Sequence, residues 1–117
     1  MFQKTILTLI SIMSLTLNSQ TMVNNSIHQF KVADIYGDIF DFSKLKGKKV
    51  MIVNTASKCG LTFQYEALQN LYDEYKNKDL IVIGVPTNNF KQEPGSNKQI
   101  KDFCETNFGI TFPMTEK

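Results

Sequence analysis

Two continuous apolar runs, Val50-Met51-Ile52-Val53 and Leu80-Ile81-Val82-Ile83-Gly84-Val85, constrain this chain most. Neither alternates polar with apolar, so each reads as a strand buried on both faces. Between them Tyr65, Leu68, Leu71, Tyr72 and Tyr75 recur at spacings of three and four, the apolar stripe of a helix. Strand, helix, strand is a βαβ unit, which predicts parallel strands with a right-handed crossover. Thr62 is the expected N-cap of that helix, and Lys76-Asn77-Lys78 closes it on positive charge.

The flanks follow from turn chemistry. Phe30-Lys31-Val32 and Ile39-Phe40-Asp41-Phe42 bracket Tyr36-Gly37-Asp38, a hairpin signal. Ser43 is read as the cap of a single helical turn that stops at Gly47. After Pro94-Gly95, Ser96 and Gln99 form a capping box. Ile100, Phe103, Cys104 and Phe108 then share a helical face, and Gly109 ends the helix. Two parallel strands and two helices leave a sheet edge bare where the chain runs out, so the hairpin, a partner or further residues should cover it.

With 117 residues, 42% hydrophobic and 21% charged, the chain suits one globular domain. Its start is set apart. Lys4 precedes an uncharged run, Ile6 to Leu17, too short for a spanning helix, which needs roughly 20 apolar residues. Residues 1–20 are read as a signal peptide, and hence as an exported protein. An uncleaved anchor, or a true start at Met13 or Met22 with a cytoplasmic protein, is the alternative. All 13 basic residues are lysine, set against 11 acids, a balance that does not suggest nucleic acid or an anionic membrane. Without arginine there is no arginine clamp for an anionic ligand.

The chemistry rests on two cysteines, Cys59 and Cys104, with no C-x-x-C and a single histidine, His28, too few ligands for a zinc site. Their spacing leaves open a structural disulfide, a redox pair or two unrelated thiols. Cys59 falls between a buried strand and a helix start, where backbone N–H groups favour a thiolate, and Lys58 adds positive charge. A thiolate attacks a peroxide O–O bond to give a sulfenic acid. A buried structural cysteine is the other reading of the same position.

Asn54-Thr55-Ala56-Ser57-Lys58-Cys59-Gly60-Leu61-Thr62, continued by Tyr65-Glu66-Ala67-Leu68, resembles the signature around the peroxidatic residue of glutathione peroxidases. Gly84-Val85-Pro86-Thr87-Asn88-Asn89-Phe90 with Gln92-Glu93-Pro94-Gly95-Ser96-Asn97 resembles that family's second signature. The resemblance covers roughly residues 28–117 and implies a thioredoxin-like α/β fold over 27–117, incomplete at its C-terminus. It implies a peroxidase that reduces hydrogen peroxide or organic and lipid hydroperoxides through Cys59. No metal or organic cofactor is expected; glutathione or a thioredoxin-like protein is the reducing partner, and the missing arginine tilts the choice toward the latter. A thioredoxin would carry C-x-x-C where Gly60-Leu61-Thr62 follows Cys59, and a peroxiredoxin would carry Thr where Ala56 stands.

The family's tetrad is Cys, Gln, Trp and Asn. Cys59 matches the first, and the Gln position falls on Asn89 or on its neighbour, in a segment about one residue shorter before Gln92; asparagine has the amide but one methylene fewer. A pair of turn-forming asparagines is the competing reading of Asn88 and Asn89. The chain has no Trp, and the tetrad Asn belongs to a family segment beyond Lys117. Many cysteine-containing relatives place a resolving cysteine on the helix that carries Cys104, one residue further on, where Glu105 falls. Cys104 is therefore a candidate resolving cysteine or a core residue. A defective relative that only binds, or a disulfide carrier using Cys59 and Cys104, are the rival functions.

Overall fold

A computed structural model describes residues 25–117, so the leader read at 1–20 lies outside the described residues. The two apolar runs form β3 (Lys49–Thr55) and β4 (Leu80–Pro86), with α1 (Gln64–Tyr75) between them. They pair in parallel, from Lys49 opposite Leu80 to Thr55 opposite Pro86. Parallel neighbours cannot be joined by a tight turn, and α1 is the crossover. Ahead of them β1 (Lys31–Ala33) and β2 (Ile39–Asp41) make the expected antiparallel hairpin. Asp34 anchors its turn, accepting from the Tyr36 and Asp38 amides, and Gly37 supplies the left-handed φ of 88°.

Caps explain where the remaining elements begin. The helical turn Phe42–Leu45 is capped by Asp41, whose carboxylate accepts from the Ser43 amide at 2.9 Å. The expected cap at Ser43 is thus corrected by two residues, because the preceding carboxylate reaches that N–H first. α2 (Asn97–Phe108) opens on the predicted capping box, with Ser96 and Gln99 each accepting the other's backbone N–H. It closes at Gly109, left-handed at φ 58°.

Neighbouring residues of β4 point to opposite faces. Val82 joins Ile35, Tyr65, Ile100, Cys104, Ile110, Phe112 and Met114 in one core cluster, and Ile83 joins Phe42 and Leu45 in the other. Both-face burial therefore holds for β4. It does not hold for β3, where Met51 and Ile52 are 39% and 50% exposed. Among the described strands β3 pairs only with β4, so it is an edge, and an apolar run alone cannot report that position.

The other edge of β4 is covered from within the chain. The Gly84 amide donates to Pro113 O and the Thr115 amide to Gly84 O, both at 2.9 Å. The same segment reaches the hairpin through Glu116 N to Ala33 O and Ile35 N to Met114 O. Gly84 allows a close approach there, since a Cβ would stand 3.1 Å from Phe112 Cε2 and 3.2 Å from Met114 Cγ. The bare edge expected from the sequence thus falls on the outer side of β3.

Candidate active site

The link from β3 to α1 is a chain of tight turns that holds Cys59. Thr62 was the expected helix cap, but α1 starts at Gln64 behind Phe63, which makes no side-chain cap bond. The Thr62 hydroxyl faces backward instead. It accepts the Cys59 amide at 3.0 Å and lies within donor range of Cys59 O (2.7 Å) and Ala56 O (3.1 Å). A side chain that could cap the helix is spent closing the cysteine loop. Cys59 is half-buried, and its Sγ accepts from the Leu61 amide at 3.4 Å. Cys59 therefore stands ahead of the helix, with one backbone donor aimed at its sulfur.

The segment after β4 is clasped onto this loop. Lys58 N donates to Gln92 O at 2.9 Å, and the Ser57 hydroxyl donates to Glu93 Oε2 at 3.0 Å. Asn88 accepts the Glu93 amide on its side-chain oxygen, and Thr87 N donates to Thr55 O. Glu93 is only 1% exposed, an unusual burial for a carboxyl group. Sequence reasoning quoted Glu93 within a motif but assigned it no role. The signal that could have singled it out is a seryl donor 36 residues away, which only the fold brings close.

These elements border a half-open cavity of about 180 Å³ beside Cys59. Val53, Thr55, Leu61, Thr62, Tyr65, Leu68, Thr87, Phe90 and Gln92 are among its walls. Asn89, the sequence candidate for the amide, is exposed and is not one of them, although Thr87 and Phe90 on either side are. Its backbone N–H donates to the Thr87 hydroxyl at 3.3 Å. Asn88 takes the turn role that the sequence left open between the pair, while Gln92 is one of the cavity's lining residues.

Cys104 sits on α2, 1% exposed, packed in the core with Tyr65 and Ile100. Burial pushes its thiol pKa up, and so do the nearby Glu93 and Glu105, while Tyr65 acts the other way. Glu105, the next residue, is exposed and accepts from Tyr36 OH at 2.6 Å. Tyr65 stacks among Phe108 and Phe112, and its hydroxyl faces Thr55 and Cys104. Neither the Tyr65 nor the Thr55 hydroxyl makes a hydrogen bond of ordinary geometry among the described residues. Burial drives the Tyr65 pKa far above that of a free phenol, so it stays protonated. Among the described residues no three His, Cys, Asp or Glu side chains gather as metal ligands would.

A family model described as glutathione peroxidase matches residues 27–117. Glutathione peroxidase-like peroxiredoxin 2 of Saccharomyces cerevisiae is 48% identical over 96 residues, 81% of this chain and 59% of that protein. The crystal structure of Trgpx in apo form superposes with a TM-score of 0.57 at 37% identity, covering 80% of this chain and 54% of that one. A thioredoxin-family thiol:disulfide interchange protein of Chlorobium tepidum superposes with a TM-score of 0.63 over 75% of this chain and 57% of its own. At 16% identity that likeness shows the fold alone, which is thioredoxin-like. The chain spans 52% to 60% of the length of the curated relatives it matches.

Proposed function

This chain belongs to the glutathione peroxidase family, and we propose that it reduces hydroperoxides with Cys59 as the nucleophile. The observation that carries the proposal is the setting of that sulfur. It is half-buried, has a backbone N–H on it, and opens onto a cavity walled by β3, α1 and the clasped loop. The Cys59 thiolate attacks one peroxide oxygen. An S–O bond forms and the O–O bond breaks. Sulfur loses two electrons, the oxygens gain them, and the departing alkoxide or hydroxide takes a proton to leave as alcohol or water. Asn89, in the exposed turn beside the cavity, is assigned a polarising amide toward the incoming peroxide.

Two thiols then restore Cys59, the first expelling water from the sulfenic acid to form a mixed disulfide and the second releasing the Cys59 thiol as the donor leaves as a disulfide; a thioredoxin-like dithiol protein is the favoured donor over glutathione. The all-lysine basic set supports that choice, since it offers no bidentate grip on glutathione carboxylates. In the resolving role, Cys104 would attack the Cys59 sulfenic acid and expel water, leaving a disulfide for the reductant. Its burial requires α2 to open locally first. The lysine-led apolar run at 4–17 supports an exported protein.

The test is trapping of the Cys59 sulfenic acid with dimedone at low micromolar hydrogen peroxide or tert-butyl hydroperoxide. Labelling at Cys59, lost in Cys59→Ser, is expected. Oxidation no faster than that of free cysteine identifies a binding relative instead. Rapid disulfide exchange without peroxide preference identifies a disulfide carrier.

A further inference from the structure

We propose that Leu61 and Phe90 form an apolar mouth on the Cys59 cavity that selects hydroperoxides bearing a neutral alkyl or aryl group over hydrogen peroxide. The inference rests on the peroxidase reading; it names the substrate class of that site and two residues that set it.

Leu61 and Phe90 are 57% and 71% exposed, and both line the cavity. One exposed apolar side chain is ordinary, but two at the opening beside a nucleophile make a contact surface. They come from different segments, Leu61 from the Cys59 loop and Phe90 from the loop after β4. Each is held in a bonded turn. The Leu61 amide donates to Cys59 Sγ at 3.4 Å, and Leu61 O accepts from the Gln64 amide at 2.9 Å. Phe90 lies inside the turn that the Lys91 amide closes on Asn88 O at 2.9 Å. Lys91 is left-handed there at φ 57°, a conformation that residues other than glycine keep only where the surrounding bonds enforce it.

The rest of the lining agrees with an apolar occupant. Val53 and Leu68 add aliphatic wall. None of the described residues that line the cavity is charged, in a chain with 13 lysines and 11 acids. A charged substituent would lose hydration there without meeting a counter-charge. Hydrogen peroxide has no carbon to bury and gains nothing from Leu61 or Phe90. An alkyl or aryl group seated against them leaves water, and each buried methylene raises binding roughly fourfold.

The test compares the full-length wild type with Leu61→Ser, Phe90→Ser and the double variant. Each is reduced, freed of reductant and reacted in a single turnover with hydrogen peroxide or with cumene hydroperoxide. Cys59 sulfenic acid is counted by dimedone labelling. The ratio of the cumene to the hydrogen peroxide rate is divided by the same ratio for free cysteine, which removes the intrinsic difference between the peroxides. The wild-type value should be at least about tenfold. Each single variant should lower it at least about threefold, the double variant should approach free cysteine, and Phe90→Leu, which stays apolar, should keep it. Phe90→Ser carries the test if Leu61→Ser disturbs the Cys59 turn. A wild-type value within about twofold of free cysteine, or one that the serine variants leave in place, overturns the proposal. An unchanged value with slower re-reduction by thioredoxin also overturns it and gives the pair to reductant docking. A wild-type Cys59 no faster than free cysteine with either peroxide overturns the peroxidase reading itself.

Discussion

Replacing Ser57 by alanine should weaken this fold more than a half-buried serine normally would. The hydroxyl donates to Glu93 Oε2 at 3.0 Å, and Glu93 is 1% exposed. Removing one partner of a buried polar pair leaves the other undersolvated, which costs about 1–3 kcal/mol. Ser57 and Glu93 both line a cavity of about 420 Å³, so a water can take up part of the loss and the lower half of the range is expected. For a domain of this size each kcal/mol lowers the melting temperature by about 4–8 °C. The same contact joins the Cys59 loop to the loop after β4, so its loss should also change the rate at which iodoacetamide reaches Cys59. Urea unfolding followed by circular dichroism, with alkylation mapped by mass spectrometry, measures both. A variant within about 0.5 kcal/mol of wild type, the range of an inconsequential surface change, refutes the idea that Ser57 is the donor Glu93 depends on.

Two further outcomes follow from packing and ionisation. Gly84→Ala must press a methyl group against Phe112 and Met114, 3.1 and 3.2 Å away. Overpacking costs about 1–3 kcal/mol, and the stiffer unfolded chain returns up to about 1 kcal/mol, so a net loss is expected in urea titration; an unchanged or higher midpoint contradicts it. The second concerns pH. Burial raises the Cys104 pKa in the fold, so above the unfolded thiol value of about 8.5 the unfolded chain sheds a proton that the native state keeps. Stability contributed by Cys104 is full below that pH and is lost as pH rises through the folded value. Melting temperatures should fall on the alkaline side, with a shallower slope in Cys104→Ala, and identical slopes would count against the burial effect.

Much of the architecture was legible because its causes are local. The stripe from Tyr65 to Tyr72, the capping box at Ser96 and the left-handed Gly109 each act within a few residues, and all are present. What sequence could not reveal depends on distant neighbours. Val50 to Val53 looks like a central strand, yet β3 is an edge, which is decided by what pairs beside it. Thr62 has the right chemistry for a cap and uses it on the Cys59 loop, a choice between two local geometries of similar cost. Tyr65 was legible as part of an apolar face, but that its hydroxyl ends up unpaired depends on strand and helix meeting. Cys59 was identified by its place in the chain. The cavity that includes Gln92 and leaves Asn89 outside depends on the path of the loop after β4.

The hydroxyl of Thr62 closes the Cys59 turn with bonds that span only three to six residues. Closure over so short a distance belongs to the fastest events of folding, tens of nanoseconds for loops of about ten residues. The loop after β4 closes on that turn through a contact of much longer range, Ser57 with Glu93, 36 residues apart. Non-local contacts of that kind set the pace of the whole. The turn that holds the sulfur is thus specified within six residues of chain, whereas the cavity beside it exists only where distant segments meet.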